Sequence, residues 1–222
     1  MAKLTTAMLL AAGRGERLRP LTEQTPKPLI TVRGKPLLEH QLCWLGEADI
    51  NTVVINLHHL AEQIVEFCTH RADPAPRIRF STESELLETG GGIVNALPLL
   101  GKDPFLLING DIFTDFPLTD LAEIPDWADV HLLVTPTPAY REHGDFEFSE
   151  GRISSRGESF VYCGIAIIRP SLFEGSTRSA FSLRELYFQA IAKGTISAQI
   201  WSGYWIDIGT AEQLEAVNSA TL

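Results

Sequence analysis

Ala7-Met8-Leu9-Leu10-Ala11-Ala12-Gly13-Arg14-Gly15-Glu16-Arg17-Leu18-Arg19 is the stretch that decides the fold. Its first six residues are an unbroken apolar run stopped by glycine, the profile of a strand buried on both faces of a sheet. Such a strand needs helices on either side, and the chain downstream provides them. Leu37, Leu38, Leu42, Leu45 and Ala48 recur at helical spacing and predict a helix over 37–48, entered by Pro36. A strand is expected at 52–57, a helix at 60–68, a strand at 77–81 and a helix at 91–100. Another apolar strand is expected at 105–108, running into Asn109-Gly110-Asp111. This alternation predicts parallel strands joined by right-handed crossovers. The fold class is therefore α/β, with a Rossmann-like mixed, mainly parallel sheet.

After Asp111 the rhythm changes. A strand at 130–134 is followed by alternation over 145–154 around Glu150-Gly151, a hairpin signal. A strand at 160–168, a helix at 183–192 stopped by Gly194, a strand at 196–201 and a helix at 210–217 capped by Thr210 complete the pattern. The organisation expected is one domain over 1–222 with a small β lobe inserted at about 112–160.

The chain has 222 residues, 45% hydrophobic and 21% charged, enough to bury roughly 70% of the unfolded surface without disulfide or metal staples. Eighteen Lys and Arg against 28 Asp and Glu leave a net charge of −10. That surface repels a phosphate backbone, which disfavours nucleic acid as a partner but leaves room for a local basic pocket. No apolar run approaches the ~18 residues of a membrane span. Residues 1–6 lead into the first strand without a basic leader or cleavage site, so a cytoplasmic protein with no membrane partner is expected. Little chain follows Asp207, so no appended domain is expected. Cys43, Cys68 and Cys163 show no metal or CxxC spacing and are expected to be buried small hydrophobes.

In an open α/β sheet the ligand sits at the carboxyl ends of the strands. That rule selects the loop after the first strand, residues 56–59 after the second, and Asn109-Gly110-Asp111. Gly13 and Gly15 let backbone N–H groups approach a polyphosphate closely. Arg14, Arg17, Arg19 and Lys27 follow in an otherwise acidic protein. The run is not a P-loop, because GxxxxGK[ST] occurs nowhere, and it fails the dinucleotide fingerprint because Leu18 stands at the third glycine position.

Leu10-Ala11-Ala12-Gly13-x-Gly15-x-Arg17-Leu18-x-Pro20-Leu21-Thr22 with Pro26-Lys27-Pro28-Leu29 closely resembles the signature of the sugar-1-phosphate nucleotidylyltransferases. Asn109-Gly110-Asp111 and Trp205-Ile206-Asp207-Ile208-Gly209-Thr210 resemble that family's two metal-carboxylate segments. The resemblance covers nearly the whole chain and implies the nucleotide-diphospho-sugar transferase fold. Leu87-Glu88-Thr89-Gly90-Gly91-Gly92 is most similar to the branch that transfers UMP from UTP to N-acetylmuramate 1-phosphate in cell-wall recycling. Mannose-1-phosphate guanylyl transfer and glucose-1-phosphate thymidylyl transfer are the alternatives. A non-catalytic nucleotide-sugar sensor is the alternative of another class.

The resemblance implies that a sugar-1-phosphate oxygen attacks the α-phosphate of a nucleoside triphosphate and expels pyrophosphate. Ala11, Ala12, Gly13, Arg14, Gly15 and Asn109 would hold the nucleotide, Arg17 the leaving oxygens and Lys27 the α-phosphate. Asp111 and Asp207 would bind Mg2+, a hard cation that takes oxygen ligands and keeps several waters. Trp205, Ile206 and Ile208 surround Asp207 with apolar groups, so its charge needs a partner. Glu83, Thr89 and Gly90 lie where the family reads the base. A carboxylate at Glu83 suits N3–H of uracil or thymine and equally N1–H and N2–H of guanine. For the sugar, Gly144, Asp145, Glu158 and Gly164 are expected, although Gly157-Glu158-Ser159 stands where the family often carries Glu-Lys-Pro. A muramyl lactyl carboxylate would need a cation, with Arg141, Arg152 and Arg156 as candidates. His58, His59 and His131 lack a second ligand at metal spacing and read as structural.

Overall fold

The computed structural model describes residues 4–73 and 75–220. Along the chain run β1 (Thr6–Leu10), a short α1 (Leu21–Gln24), β2 (Thr31–Val32), β3 (Lys35–Pro36), α2 (Leu37–Glu47), β4 (Thr52–Leu57) and α3 (Ala61–Thr69). Next come β5 (Arg77–Thr82), α4 (Glu88–Leu100), β6 (Phe105–Asn109), β7 (Ile112–Thr114), β8 (Val130–Pro136), β9 (Phe146–Ser149) and β10 (Arg152–Arg156). The chain closes with β11 (Phe160–Ile168), α5 (Leu183–Lys193), β12 (Ile196–Ile200), β13 (Trp205–Asp207) and α6 (Ala211–Ser219).

Nine strands form one sheet in the order β5-β4-β1-β6-β11-β8-β12-β10-β9. β1 pairs in parallel with β4 and β6, β4 with β5, and β8 with β12, while β11 runs antiparallel between β6 and β8. The sheet is thus mixed and mainly parallel, as its alternating apolar segments require. β1 feeds a core on each face. Ala7 and Leu9 pack with Leu38, Leu42 and Leu45 of α2 and Ile64 of α3. Met8 points the other way, toward Ile93 and Ala96 of α4 and Leu186 and Ala190 of α5. The strand period of two and the helical stripes explain this division.

The same geometry corrects the cysteine expectation. Cys163 is buried, but Cys68 is only half-buried and Cys43 is exposed. Position 43 falls on the solvent side of α2, away from the stripe that includes Leu42 and Leu45.

The segment at about 112–160 is divided among three places. β7 leaves the main sheet to form a two-stranded ribbon with β13, β8 enters the main sheet, and the β9–β10 hairpin lies at its far edge. The hairpin turns at Glu150 (φ 50°) and Gly151 (φ 78°), the left-handed pair of a type I′ turn. α4 begins earlier than expected and takes Gly90, Gly91 and Gly92 inside its first turns, all buried. A Cβ at Gly90 would strike the Phe181 ring and one at Gly91 the Ser179 carbonyl oxygen. These glycines let α4 press against the chain leading into α5.

Among the described residues no helix is long and apolar enough to cross a membrane. Residues 1–3, part of the leader reading, lie outside the described residues.

His131 on β8 is 3% exposed; its Nδ1 lies 2.9 Å from Ser197 Oγ, and its Nε2 has no partner among the described residues. Burial pushes its pKa down to about 4 from the ordinary 6.5. An unfolded chain therefore binds a proton that the folded chain refuses. Stability from this group is complete above about pH 6.5 and falls as pH drops toward about 4, by at most about 3 kcal/mol. Urea unfolding midpoints followed across that window should fall more steeply for the wild type than for His131→Gln. Parallel profiles would remove His131 as a source of acid sensitivity.

Candidate active site

At the carboxyl ends of β1, β4 and β6 the sheet opens into a cleft of about 600 Å3. Leu10, Ala11, Ala12, Gly13, Gly15, Arg17, Lys27, Asn56, Asn109, Gly110 and Asp111 line it, with Leu86, Glu88 and Thr89 from the entry of α4. The walls follow from how each strand ends. Leu10 and Asn109 are neighbours in register at the ends of β1 and β6. A Cβ at Gly110 would collide with the Leu10 carbonyl oxygen, so only glycine permits that approach.

The β1 loop is held from below. Ala11 N donates to Asn56 Oδ1 at 2.7 Å, Asn56 Nδ2 donates to Glu83 Oε1 at 2.7 Å, and Leu87 N donates to Glu83 Oε2 at 3.1 Å. Glu83 is 3% exposed and does not line the cleft. Glu83, expected at the base, has each oxygen accepting one hydrogen bond inside the fold and is tied to the cleft wall through Asn56. The strand-end rule selects residues 56–59, and the structure gives Asn56, the polar residue ending the apolar run Val53-Val54-Ile55, its role there as the brace of Ala11.

Gly15 adopts φ +63°, and a Cβ there would come within 2.7 Å of Thr22 Cγ2. Thr22 is 1% exposed and its hydroxyl donates to Gly15 O at 2.8 Å. This clamp turns the chain so that Arg17 enters the cleft, where its guanidinium lies against Gly209. Arg14 is exposed and outside the cleft lining, and Arg19 lies 3.9 Å from Glu16 on the surface. Of the arginines expected at the nucleotide, Arg17 thus lines the cleft and Arg14 lies beside it in solvent. Gly90 is buried within α4, next to Thr89, which lines the cleft. The Thr89 hydroxyl accepts from Leu183 N at 2.9 Å and ties α4 to α5.

Two acid–base pairs define the charge pattern. Lys27 Nζ donates to Asp111 Oδ2 at 2.8 Å, with both side chains largely shielded. Asp207 faces Arg141, whose guanidinium pairs with Oδ2 and lies 5.6 Å from the Trp205 ring centroid. Gln213 Nε2 donates to Asp207 Oδ1 at 3.0 Å, while Gln213 Oε1 accepts from the N–H groups of Gly209 and Thr210. Thr210 and Gln213 form the capping box of α6, so a helix start and the acid are braced together. Neither Arg141 nor Gln213 was expected at Asp207. The capping pattern Thr-x-x-Gln was readable, but its reach to position 207 was not.

The strand ribbon brings the two aspartate segments side by side. Asp207 on β13 is paired with Ile112 on β7, and Ile208 N donates to Asp111 O at 2.7 Å. Among the described residues no group of three or more His, Cys, Asp or Glu forms a ready-made metal cage. Asp111 lines the cleft, and Asp207 lies at the same end of the ribbon but outside the cleft lining; carboxylates are the ligands that Mg2+ takes one or two at a time, with water and substrate phosphates completing its shell.

The residues expected at the sugar stand apart from the cleft lining. Gly144, Asp145 and Glu158 line a separate cavity of about 370 Å3. Gly144 N donates to Glu158 Oε2 at 2.9 Å, and Tyr162 N donates to Asp145 Oδ2 at 3.0 Å. Gly164 (φ +76°) packs onto Asn109, where a Cβ would come within 2.9 Å of the Asn109 Cβ. His58 Nδ1 sits 3.1 Å from Glu83 O and His59 Nε2 sits 3.0 Å from Thr22 O, both structural partners.

A family profile described as Nucleotidyl transferase matches residues 6–156. The chain is similar to a Neisseria meningitidis protein named N-acetylmuramate alpha-1-phosphate uridylyltransferase, at 38% identity over 94% of this chain and 95% of that one. It is 32% identical to the catalytic subunit beta of mannose-1-phosphate guanylyltransferase from Drosophila pseudoobscura, over 92% of this chain and 59% of that protein. Among solved structures, HddC from Yersinia pseudotuberculosis, complexed with GMP-PN, superposes with a TM-score of 0.83 at 24% identity, covering 97% of this chain and 98% of that one. The last likeness shows a shared fold.

Asn56→Ala should leave Ala11 N and one Glu83 oxygen buried and unpaired, at about 1–3 kcal/mol each. Thermal unfolding should then occur on the order of 10 °C lower. Calorimetry should show weaker nucleoside triphosphate binding, and an unaltered Kd would mean that the relay does not position the loop.

Proposed function

The chain belongs to the nucleotidyl transferase family and is a sugar-1-phosphate nucleotidyltransferase, and from that premise we propose that it transfers UMP from UTP to N-acetylmuramate 1-phosphate, releasing pyrophosphate. One observation carries the reading: Arg17, Lys27, Asn109 and Asp111 line a single cleft at the sheet's carboxyl edge, beside the amides of residues 11–15. The 38% identical relative over nearly the whole chain supports UTP and the muramyl substrate. With these substrates the reaction would run in the cytoplasm.

Joining two anions in line needs little covalent help from a protein. It needs positioning and neutralised charge. The amides after β1 hold the triphosphate, with Gly15 keeping the turn tight. Arg17 takes the oxygens of the departing pyrophosphate. Lys27 sits between the α-phosphate and the incoming sugar phosphate, its ammonium oriented by Asp111. The sugar-phosphate oxygen forms its bond to the α-phosphorus as the bridge to the β-phosphate breaks, and the electron pair leaves with pyrophosphate. Asp111 and Asp207 would hold Mg2+, which supplies further neutralisation of phosphate charge when bound. For Asp207 to serve, Arg141 must release its carboxylate.

The test is pyrophosphate release with Mg2+ across a panel of nucleoside triphosphates and sugar 1-phosphates. Turnover is expected with UTP and N-acetylmuramate 1-phosphate. GTP with mannose 1-phosphate is the competing pair, favoured if the 32% identical relative reflects the substrate, and silence across the panel would point to a sensor. Lys27→Ala and Asp111→Ala should each lower kcat by about 10²–10³ with the fold intact. A folded Asp111→Ala protein with wild-type turnover would overturn the mechanism.

A further inference from the structure

The smaller cavity of about 370 Å3 joins Gly144, Asp145 and Glu158 to Arg156, Arg184 and Phe188. Arg156, the last residue of β10, holds its guanidinium 4.6 Å from the Phe188 ring centroid. Arg184 lies one helical turn before Phe188 on α5 and lines the same space. Among the described residues neither guanidinium has a carboxylate within 4.0 Å. The cavity's own acids each accept a hydrogen bond within the fold. Glu158 Oε2 accepts from Gly144 N at 2.9 Å and lies 3.2 Å from His143 Nδ1, and Asp145 Oδ2 accepts from Tyr162 N at 3.0 Å.

Two arginines without a carboxylate partner thus face one cavity in a chain of net charge −10, alongside two acids that already accept hydrogen bonds. The Phe188 ring beneath one guanidinium favours its charge and fixes its plane, which suits a planar two-oxygen ligand. The other candidate arginines are committed. Arg141 pairs with Asp207, and Arg152 stacks 3.4 Å over Trp127 and donates to Gly194 O at 2.9 Å. The cavity and the nucleotide cleft are linked through the start of α5: Ser182 lines the cleft, and its hydroxyl accepts from Arg184 N. Gly144, Asp145 and Glu158, the residues expected at the sugar, line the same cavity as Arg156 and Arg184.

We propose that Arg156 and Arg184 form the recognition site for a carboxylate borne on the sugar, the lactyl ether that distinguishes N-acetylmuramate 1-phosphate from N-acetylglucosamine 1-phosphate. This assignment rests on the substrate reading above. Neither phosphate nor nucleotide touches these arginines in that arrangement, so their effect belongs to sugar binding. Arginine's two parallel donors match the carboxylate, and the charge-assisted pair is stronger than hydroxyl recognition alone.

Steady-state kinetics with both sugar phosphates tests it. Arg156→Ala and Arg184→Ala should each raise KM for the muramyl substrate roughly tenfold with little change in kcat. The preference over N-acetylglucosamine 1-phosphate should narrow by the same factor, and Arg156→Lys should fall in between. Both side chains are exposed, so unfolding midpoints should stay near wild type. Equal KM changes for the two sugar phosphates, or none, would overturn the carboxylate site and leave the substrate reading standing. No turnover of the muramyl substrate by the wild type would overturn both.

Discussion

Where β1 stops at Leu10, the backbone of Ala11 is still buried and has left its sheet ladder, and a buried N–H without an acceptor is costly. Asn56 Oδ1 takes that hydrogen at 2.7 Å, and Glu83 in turn fixes the amide of Asn56. The rest of the site inherits its position from this relay. With Ala11 pinned to the end of β4, the following loop has one path, the left-handed Gly15 seated on Thr22. That path brings Arg17 over Gly209 and starts the short turn that presents Lys27.

Charge is organised by the same economy of partners. The protein carries ten net negative charges, yet its cleft is walled by Arg17 and Lys27 with Asp111 between them and the sheet. Asp111, just before β7, and Asp207, the last residue of β13, lie far apart in sequence but at the same end of the β7–β13 ribbon, and each has its own cation. Such pairing keeps two shielded carboxylates tolerable before phosphates arrive. It also leaves Lys27 and Arg141 as the groups whose contacts must change when anionic substrates enter. The ribbon, not the main sheet, is thus the element that assembles the acidic side of the site.

Glycines at neighbouring motifs serve different physical ends. Gly15 supplies a backbone conformation that L side chains rarely adopt, and Gly110 supplies closeness between two strand ends. Gly90, Gly91 and Gly92 read like a ligand platform but are helix packing surface against residues 179–181 and Glu83. The letters are the same, and the surroundings assign the role.

Much of this protein is written locally. The strands at 52–57 and 160–168, the helix stop at Gly194, the Glu150-Gly151 turn and the Thr210 cap follow from period, propensity and turn chemistry, all of which act over a few residues. The Gly13–Lys27 loop and the two aspartate segments were legible because they sit at strand ends in a recognisable run. Other features depend on which elements become neighbours. Sequence showed an acid at Glu83, but only the packing of β5 beside β4 turned that acid inward to Asn56. It showed Arg141, Arg152 and Arg156 as equivalent surface cations, and the fold gave them Asp207, Trp127 and Phe188. Composition and spacing determined the sheet, its order of elements and the place of the cleft. The tertiary structure alone decided which charges meet, because Coulomb pairing and burial act through distances that the chain order does not contain.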